Sequence, residues 1–149
     1  MIKKIILLIY IILISACDYS PIHSNKENSI EINITSITGD AEINNYLSKE
    51  LKRKSKNSSE KVEVKINTNF TKRILAKDTK SFATDYELEV QGNFELKNKD
   101  NSQSFTISEK FRYKNLNNNY EQNNYEAMIK RNLTKTIVSK LSLRINNFK

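Results

Sequence analysis

Three groups of side chains in this chain have types and spacings that could do chemistry. Lys72, Arg73, Lys77 and Lys80 crowd one short stretch, and Lys110, Arg112 and Lys114 recur at every second position. Both clusters of this first, cationic group could receive phosphate, with arginine offering a bidentate fork and lysine a point charge. Glu87 and Glu89 form a carboxylate pair two residues apart. On the polar face of a strand, that spacing suits cross-strand pairing with Lys110 and Arg112 better than acid–base catalysis. Such exposed pairs contribute about 0–1 kcal/mol each. The third group is small: one cysteine, Cys17, and one histidine, His23. A single cysteine excludes an intramolecular disulfide framework and a multi-cysteine metal site, and a single histidine excludes a His-pair site. His23 lies in an irregular stretch with no structured partner, which disfavours a triad. With two glycines in all, there is no glycine-rich phosphate loop. The chain reads as a non-enzyme without a cofactor or metal.

Cys17 has a different chemistry, set by what precedes it. Lys3 and Lys4 are followed by an apolar run from Ile5 to Ile14. That run is shorter than the ~20 residues a bilayer span needs, and it has the form of a secretory signal. It ends in Ile14-Ser15-Ala16-Cys17, which resembles a bacterial lipobox. The resemblance implies cleavage before Cys17 and acylation of its thiol and amine. Each buried CH2 of such chains adds about 0.8 kcal/mol of membrane affinity. The expected organisation is a signal peptide over 1–16, a lipidated tether over 17–28 and one domain over 29–149.

The 149 residues carry a formal charge of +8, and loss of Lys3 and Lys4 with the signal lowers it by two. Lysine outnumbers arginine 20 to 5. The abundance of Lys, Asn and Ile follows AT-rich codons, so part of the positive charge is solvated surface. Export and the placement of aromatics on apolar faces argue against nucleic acid as the partner.

The spacing of apolar residues predicts the elements that position these groups. Ser29–Ile37 alternates, with Ile30, Ile32 and Ile34 on one face. Gly39-Asp40 breaks the strand, and Asp40 is a helix N-cap. Ile43, Tyr46, Leu47 and Leu51 then recur at helical spacing, with lysines and Arg53 crowding the helix C-terminus, and Asn57-Ser58-Ser59 ends it. Three alternating runs follow: Val62 through Phe70 to Ile74, Tyr86 through Val90 to Leu96, and Phe105 through Ile107 and Phe111 to Tyr113. Each has one apolar and one polar face, as in an antiparallel sheet covered on one side. Lys77-Asp78-Thr79 and Asn98–Asn101 are the predicted turns. Asn115–Asn124 reads as a loop before a long helix from about Glu121 to Ile145. That helix carries a stripe of Tyr125, Ile129, Leu133, Ile137 and Leu141, with Met128 and Leu143 near it. The expected fold is α+β: a two-layer sandwich of a four-stranded, mostly antiparallel sheet with two helices on one face, in the order β-α-β-β-β-α.

The ordered combination of segments resembles the lipopolysaccharide-assembly lipoproteins, the LptE family. Cys17-Asp18-Tyr19-Ser20-Pro21-Ile22-His23 is similar to that family's Cys-Gly-Phe-x-Pro-Leu-Tyr opening. Phe82-Ala83-Thr84-Asp85-Tyr86-Glu87-Leu88-Glu89-Val90 resembles its central strand, and Glu109-Lys110-Phe111-Arg112-Tyr113 the strand after it. Glu121–Leu141, with Tyr125-Glu126-Ala127-Met128 and Ser139-Lys140-Leu141, resembles its C-terminal helix. The resemblance implies a two-layer α+β domain, anchored to the periplasmic side of the outer membrane through its N-terminal lipid. It implies a plug within the large β-barrel LptD that binds lipopolysaccharide, assists its delivery to the outer leaflet and supports barrel assembly. Arg73, Lys77, Lys80 and Arg112 are then the candidate contacts to lipopolysaccharide phosphates, and Cys17 the lipidation site. Asp18 stands where the family has Gly, and in some bacteria an Asp there retains a lipoprotein at the inner membrane. Two other classes fit the residues without the resemblance: a lipid-tethered periplasmic module accessory to amphiphile transport, and a peptidoglycan-binding envelope lipoprotein.

Overall fold

The computed structural model describes residues 30–58, 60–116 and 118–148. Cys17, Asp18, His23, the signal segment and the tether lie outside the described residues. The elements are β1 (Glu31–Gly39), α1 (Ala41–Lys54), β2 (Lys61–Lys77), β3 (Ala83–Lys97), β4 (Ser102–Lys114) and α2 (Asn119–Asn146). They build one four-stranded sheet in the order β1-β2-β3-β4. β1 runs parallel to β2, and the other neighbours are antiparallel. The parallel pair follows from α1, which carries the chain back along the sheet before β2 begins.

The alternation assigns one sheet face to the helices. Val62, Val64 and Ile66 of β2, Leu88, Val90, Phe94 and Leu96 of β3, and Ile107 and Tyr113 of β4 are buried beneath Ile43, Leu47 and Leu51 of α1 and Ile129, Leu133, Ile137 and Leu141 of α2. Val138 and Ile145 widen the α2 stripe beyond its four-residue spacing, while Met128 and Leu143 beside it are exposed.

Where β1 departs from simple alternation, the backbone adjusts. Ile37 is out of phase with Ile30, Ile32 and Ile34. A bulge between Ile34 and Ser36 leaves Thr35 unpaired and restores Ile37 to the inner face opposite Ile66. β1 then ends at Gly39, whose φ is +104° and whose Cβ, if present, would lie 1.8 Å from the Thr68 carbonyl oxygen. Asp40 caps α1 as expected, its Oδ1 accepting from the Ile43 amide at 3.0 Å. Gly39→Ala is expected to cost at least about 1–3 kcal/mol from backbone strain alone, before the clash with Thr68, as a lowered urea midpoint.

The loop expected over Asn115–Asn124 is shorter in the structure. The Asn118 side chain accepts from the amides of Tyr120 and Glu121, so α2 begins at Asn119. An asparagine run reads as loop by propensity, but Asn118 at the cap position starts the helix, and Asn119, Asn123 and Asn124 are solvated helical residues.

Candidate functional site

The turn joining β2 to β3 is a closed knot. Asp78 Oδ1 accepts from the amides of Lys80 and Phe82, both at 2.9 Å, and Ser81 takes a left-handed φ of 67°. This arrangement commits the Asp78 carboxylate to the backbone and leaves Lys77 and Lys80 pointing to solvent. Among the described residues neither lysine has a carboxylate within ion-pair distance. β4 reaches toward the same end, where Asp85 pairs with Lys114 and the Asn115 amide donates to the Thr84 carbonyl. The first turn of α2 starts there too.

Among the described residues, most of the exposed large apolar side chains gather at this end, Met128 and Leu143 apart. Ile74, Leu75 and Phe82 flank the turn, Phe111 lies on the adjoining part of β4, and Tyr120 on the first turn of α2; Phe82 is 67% and Tyr120 74% exposed. The inner-face phase of β2 continues to Ile74 as the alternation predicts, but no helix covers it there. The hairpin end is therefore apolar and cationic together.

The other two predicted anion contacts sit apart from the tip, on the open face of the sheet. Arg73 of β2 lies beside Glu89, to which it is ion-paired, and its guanidinium is 3.5 Å from Glu87. Arg112 of β4 donates to Glu87 at 2.9 Å, and Lys110 is 3.6 Å from Glu89. Ser108 Oγ donates to Glu89 at 2.6 Å. The result is a three-strand ladder of three cations around two carboxylates. The Arg112 hydrogen bond holds the Glu87 carboxyl below its ordinary value. The Ser108 hydroxyl, with the nearby cations, does the same for Glu89 against the opposing effect of burial. So the structure brings Arg73 and Arg112 together through Glu87, separately from Lys77 and Lys80.

Lys72 belongs to neither group. Its position in β2 faces the helices, opposite Leu88. Its ammonium lies 2.6 Å from Glu126 of α2 and 4.3 Å over the Tyr86 ring. Glu126 also accepts from the Tyr113 hydroxyl and from Gln122 Nε2 at 2.9 Å. Tyr86 stacks on Tyr113 at 5.4 Å, and Tyr125 meets Tyr113 edge-on. This polar knot within an aromatic cluster roots the hairpin on α2. Burial raises the Glu126 pKa, but the donors Lys72, Tyr113 and Gln122 outweigh it and hold the carboxyl below its ordinary 4.5. Burial and the Glu126 carboxylate together push the Tyr113 phenol well up.

One turn further along α2, Lys130 bridges Asp40 at 2.9 Å and Glu42 at 3.0 Å. Burial opposes ionisation of Asp40, yet the Ile43 amide and Lys130 leave its carboxyl below its ordinary value. A group whose pKa is lowered by folding contributes stability that is present above its unfolded value and lost as pH falls through the folded one. The urea midpoint should therefore hold at neutral pH and fall progressively below about pH 4.5, the ordinary value for glutamate, as Glu126 and Glu89 protonate, with Asp40 adding its loss below about 3.8. A Glu126→Gln variant should show a shallower acid limb.

The contacts that sequence reasoning missed are Phe82, Leu75 and Tyr120 at the tip and Glu126 at its root. A phenylalanine just past a predicted turn, with lysines on both sides of that turn, was the available signal for the first. Glu126 carried none, because its three donors come from three elements. Among the described residues no three His, Cys, Asp or Glu side chains converge as a metal site would need, and no helix is long and apolar enough to cross a membrane.

Two solved structures share this architecture. The rare lipoprotein B of Shewanella oneidensis superposes with a TM-score of 0.59 at 13% identity, covering 82% of this chain and 100% of that one. Lipoprotein B of Nitrosomonas europaea gives 0.56 at 16% identity, covering 80% and 86%. At these identities the likeness concerns the fold. No curated protein is similar in sequence at a significant level. The family model described as LptE, lipopolysaccharide-assembly, matches residues 28–145. That span takes in all four strands, α1 and α2 up to its last residue, so the chain belongs to the LptE family of lipopolysaccharide-assembly lipoproteins.

Proposed function

We infer that this protein is the lipid-anchored plug of an LptD-like outer-membrane β-barrel, and that it binds lipopolysaccharide and assists both its insertion into the outer leaflet and the assembly of the barrel. The role is non-enzymatic: it consists of holding an amphiphile and a partner in position. The signal over 1–16 is removed, Cys17 is acylated, and 17–28 tethers the domain on the periplasmic side of the membrane. Asp18 makes the sorting step the point at which inner-membrane retention would act.

The observation that carries this reading is the hairpin end. Two solvated lysines, Lys77 and Lys80, stand beside exposed Phe82, Ile74 and Leu75. A phosphorylated glycolipid presents the complementary pair, phosphate beside acyl chains. Arg73 and Arg112 would add to the field from the ladder, where cations outnumber carboxylates, and Arg112 remains 74% exposed.

Affinity purification of the full-length protein from envelopes tests the reading. A large outer-membrane β-barrel and lipopolysaccharide should copurify with it, and mutation of Cys17 should move it out of the membrane fraction. Recovery of the lipidated protein without a barrel, or its retention on sacculi instead, would overturn the proposal.

A further inference from the structure

The geometry points to the outer edge of β4 as a docking site for an extended, acid-bearing strand from another protein. β4 closes one side of the sheet, and among the described residues no strand pairs with its outer edge. Every second residue of such a strand turns its N–H and C=O away from the sheet, which is a template for strand addition. Proteins normally blunt such an edge with charge, proline or a bulge. β1, the opposite edge, has its bulge at Thr35. β4 has none: its pairing with β3 runs from Ser102 to Lys114 without a register shift. The half from Ser102 to Ser108 contains neither a charged residue nor a proline.

A groove already runs beside this half. Gln103 and Ile107 line it, and so do Thr106 and Ser108, which lie on the other face of the strand; Leu143 and Arg144 of α2 form its far wall. Residues of both parities lining it fit a groove that follows the free backbone edge. Leu143 is 60% exposed and offers an apolar seat for an aliphatic side chain of an added strand. The Arg144 guanidinium rests 5.6 Å over the Phe105 ring, with no carboxylate partner among the described residues. Lys140, also on the groove wall, is paired with Glu109. One uncompensated cation beside an apolar seat favours an incoming strand that carries a carboxylate next to aliphatic residues. A second copy of this chain fits less well, because it would bring its own Arg144 and Lys140 and a formal charge of +8.

Backbone hydrogen exchange on the purified full chain tests this, with the probe peptide acetyl-Thr-Val-Glu-Val-Glu-Val-Thr-amide. At about ten times its dissociation constant the peptide should slow exchange of the outward β4 amides between Ser102 and Ser108 about tenfold. The same peptide with Lys in place of Glu should bind about fivefold more weakly, and Arg144→Glu should reverse that preference at unchanged circular dichroism. Alternate N-methylation of the peptide should abolish protection, because the ladder cannot close. Four results would overturn the inference. The first two are no protection at millimolar acidic peptide and equal protection by the N-methylated form. The third is slow exchange in the free chain at every concentration, which would mean its own residues cover the edge. The fourth is protection that rises with the chain's own concentration together with a dimer in sedimentation, which would make the occupant a second copy.

Discussion

Glu126→Leu is expected to destabilise the domain by about 3 kcal/mol, measured as the urea unfolding free energy at neutral pH. The side chain is small in volume terms, and leucine would suit the apolar surroundings. The cost arises from what leucine leaves behind. Lys72, the Tyr113 hydroxyl and Gln122 all donate to this one carboxylate. Removing a shared acceptor leaves a partly buried ammonium and two polar groups unpaired, and breaking such a pair costs about 3–5 kcal/mol when it is buried. Lys72 is 35% exposed on its side chain and can turn toward water, which places the estimate at the lower end. Tyr113→Phe removes one donor and leaves the carboxylate satisfied by the other two, so it should cost only about 1 kcal/mol. The Glu126→Leu/Tyr113→Phe double variant should be less destabilised than the sum of the two, because the second change removes a group the first had orphaned. An effect of Glu126→Leu within about 0.5 kcal/mol of zero would show that the knot is not what roots the hairpin.

The second large effect concerns binding. Lys77→Glu with Lys80→Glu should weaken lipopolysaccharide binding by about tenfold or more at low salt, and leave stability within about 0.5 kcal/mol of the parent. Both side chains are exposed and have no carboxylate partner among the described residues, so reversing them breaks no ion pair there. The backbone knot around Asp78 should survive, since its acceptor and donors are unchanged. Arg73→Glu with Arg112→Glu is a different experiment. It would place four carboxylates together with Lys110 as their near cation, and any binding loss would be mixed with disruption of the ladder. The tip pair is therefore the clean test of the anion site. Phe82→Ser in the parent protein separates phosphate from acyl contacts: it should weaken lipopolysaccharide binding while leaving inorganic phosphate binding unchanged. Unaltered lipopolysaccharide affinity in the tip double variant would remove the hairpin lysines from the proposal.

Much of the fold was legible because period-two and period-four apolar spacing are local signals. Val62-Glu63-Val64-Lys65-Ile66 can bury its valines and isoleucine only as a one-sided strand. Ile129, Leu133, Ile137 and Leu141 can form a stripe only on a helix. The β1 bulge was less legible, because Ile37 reads as a break in phase until Ile66 is seen opposite it. The start of α2 was misjudged for a related reason: which asparagine of a run becomes the cap depends on where the chain leaves β4.

The candidate site divides in the same way. Residue types alone exclude a disulfide framework and a multi-cysteine or His-pair metal site, place Cys17 at the end of a lipobox-like signal, and cluster the cations near one turn and one strand. The ordered segments were enough to point to the LptE family. Only the tertiary structure decided which cations are free. The pairing of Arg112 and Lys110 with Glu87 and Glu89 follows from strand spacing. Arg73 and Lys72 look like solvated charges in the sequence, yet each meets a carboxylate on another strand or on α2. Lys77 and Lys80 have no carboxylate partner among the described residues, because the turn extends past the reach of the helices and commits its one carboxylate to the backbone. Pairing between residues distant in sequence is set by register and by the packing of α2 on the sheet. Those are long-range properties that the spacing of residues along one segment does not contain.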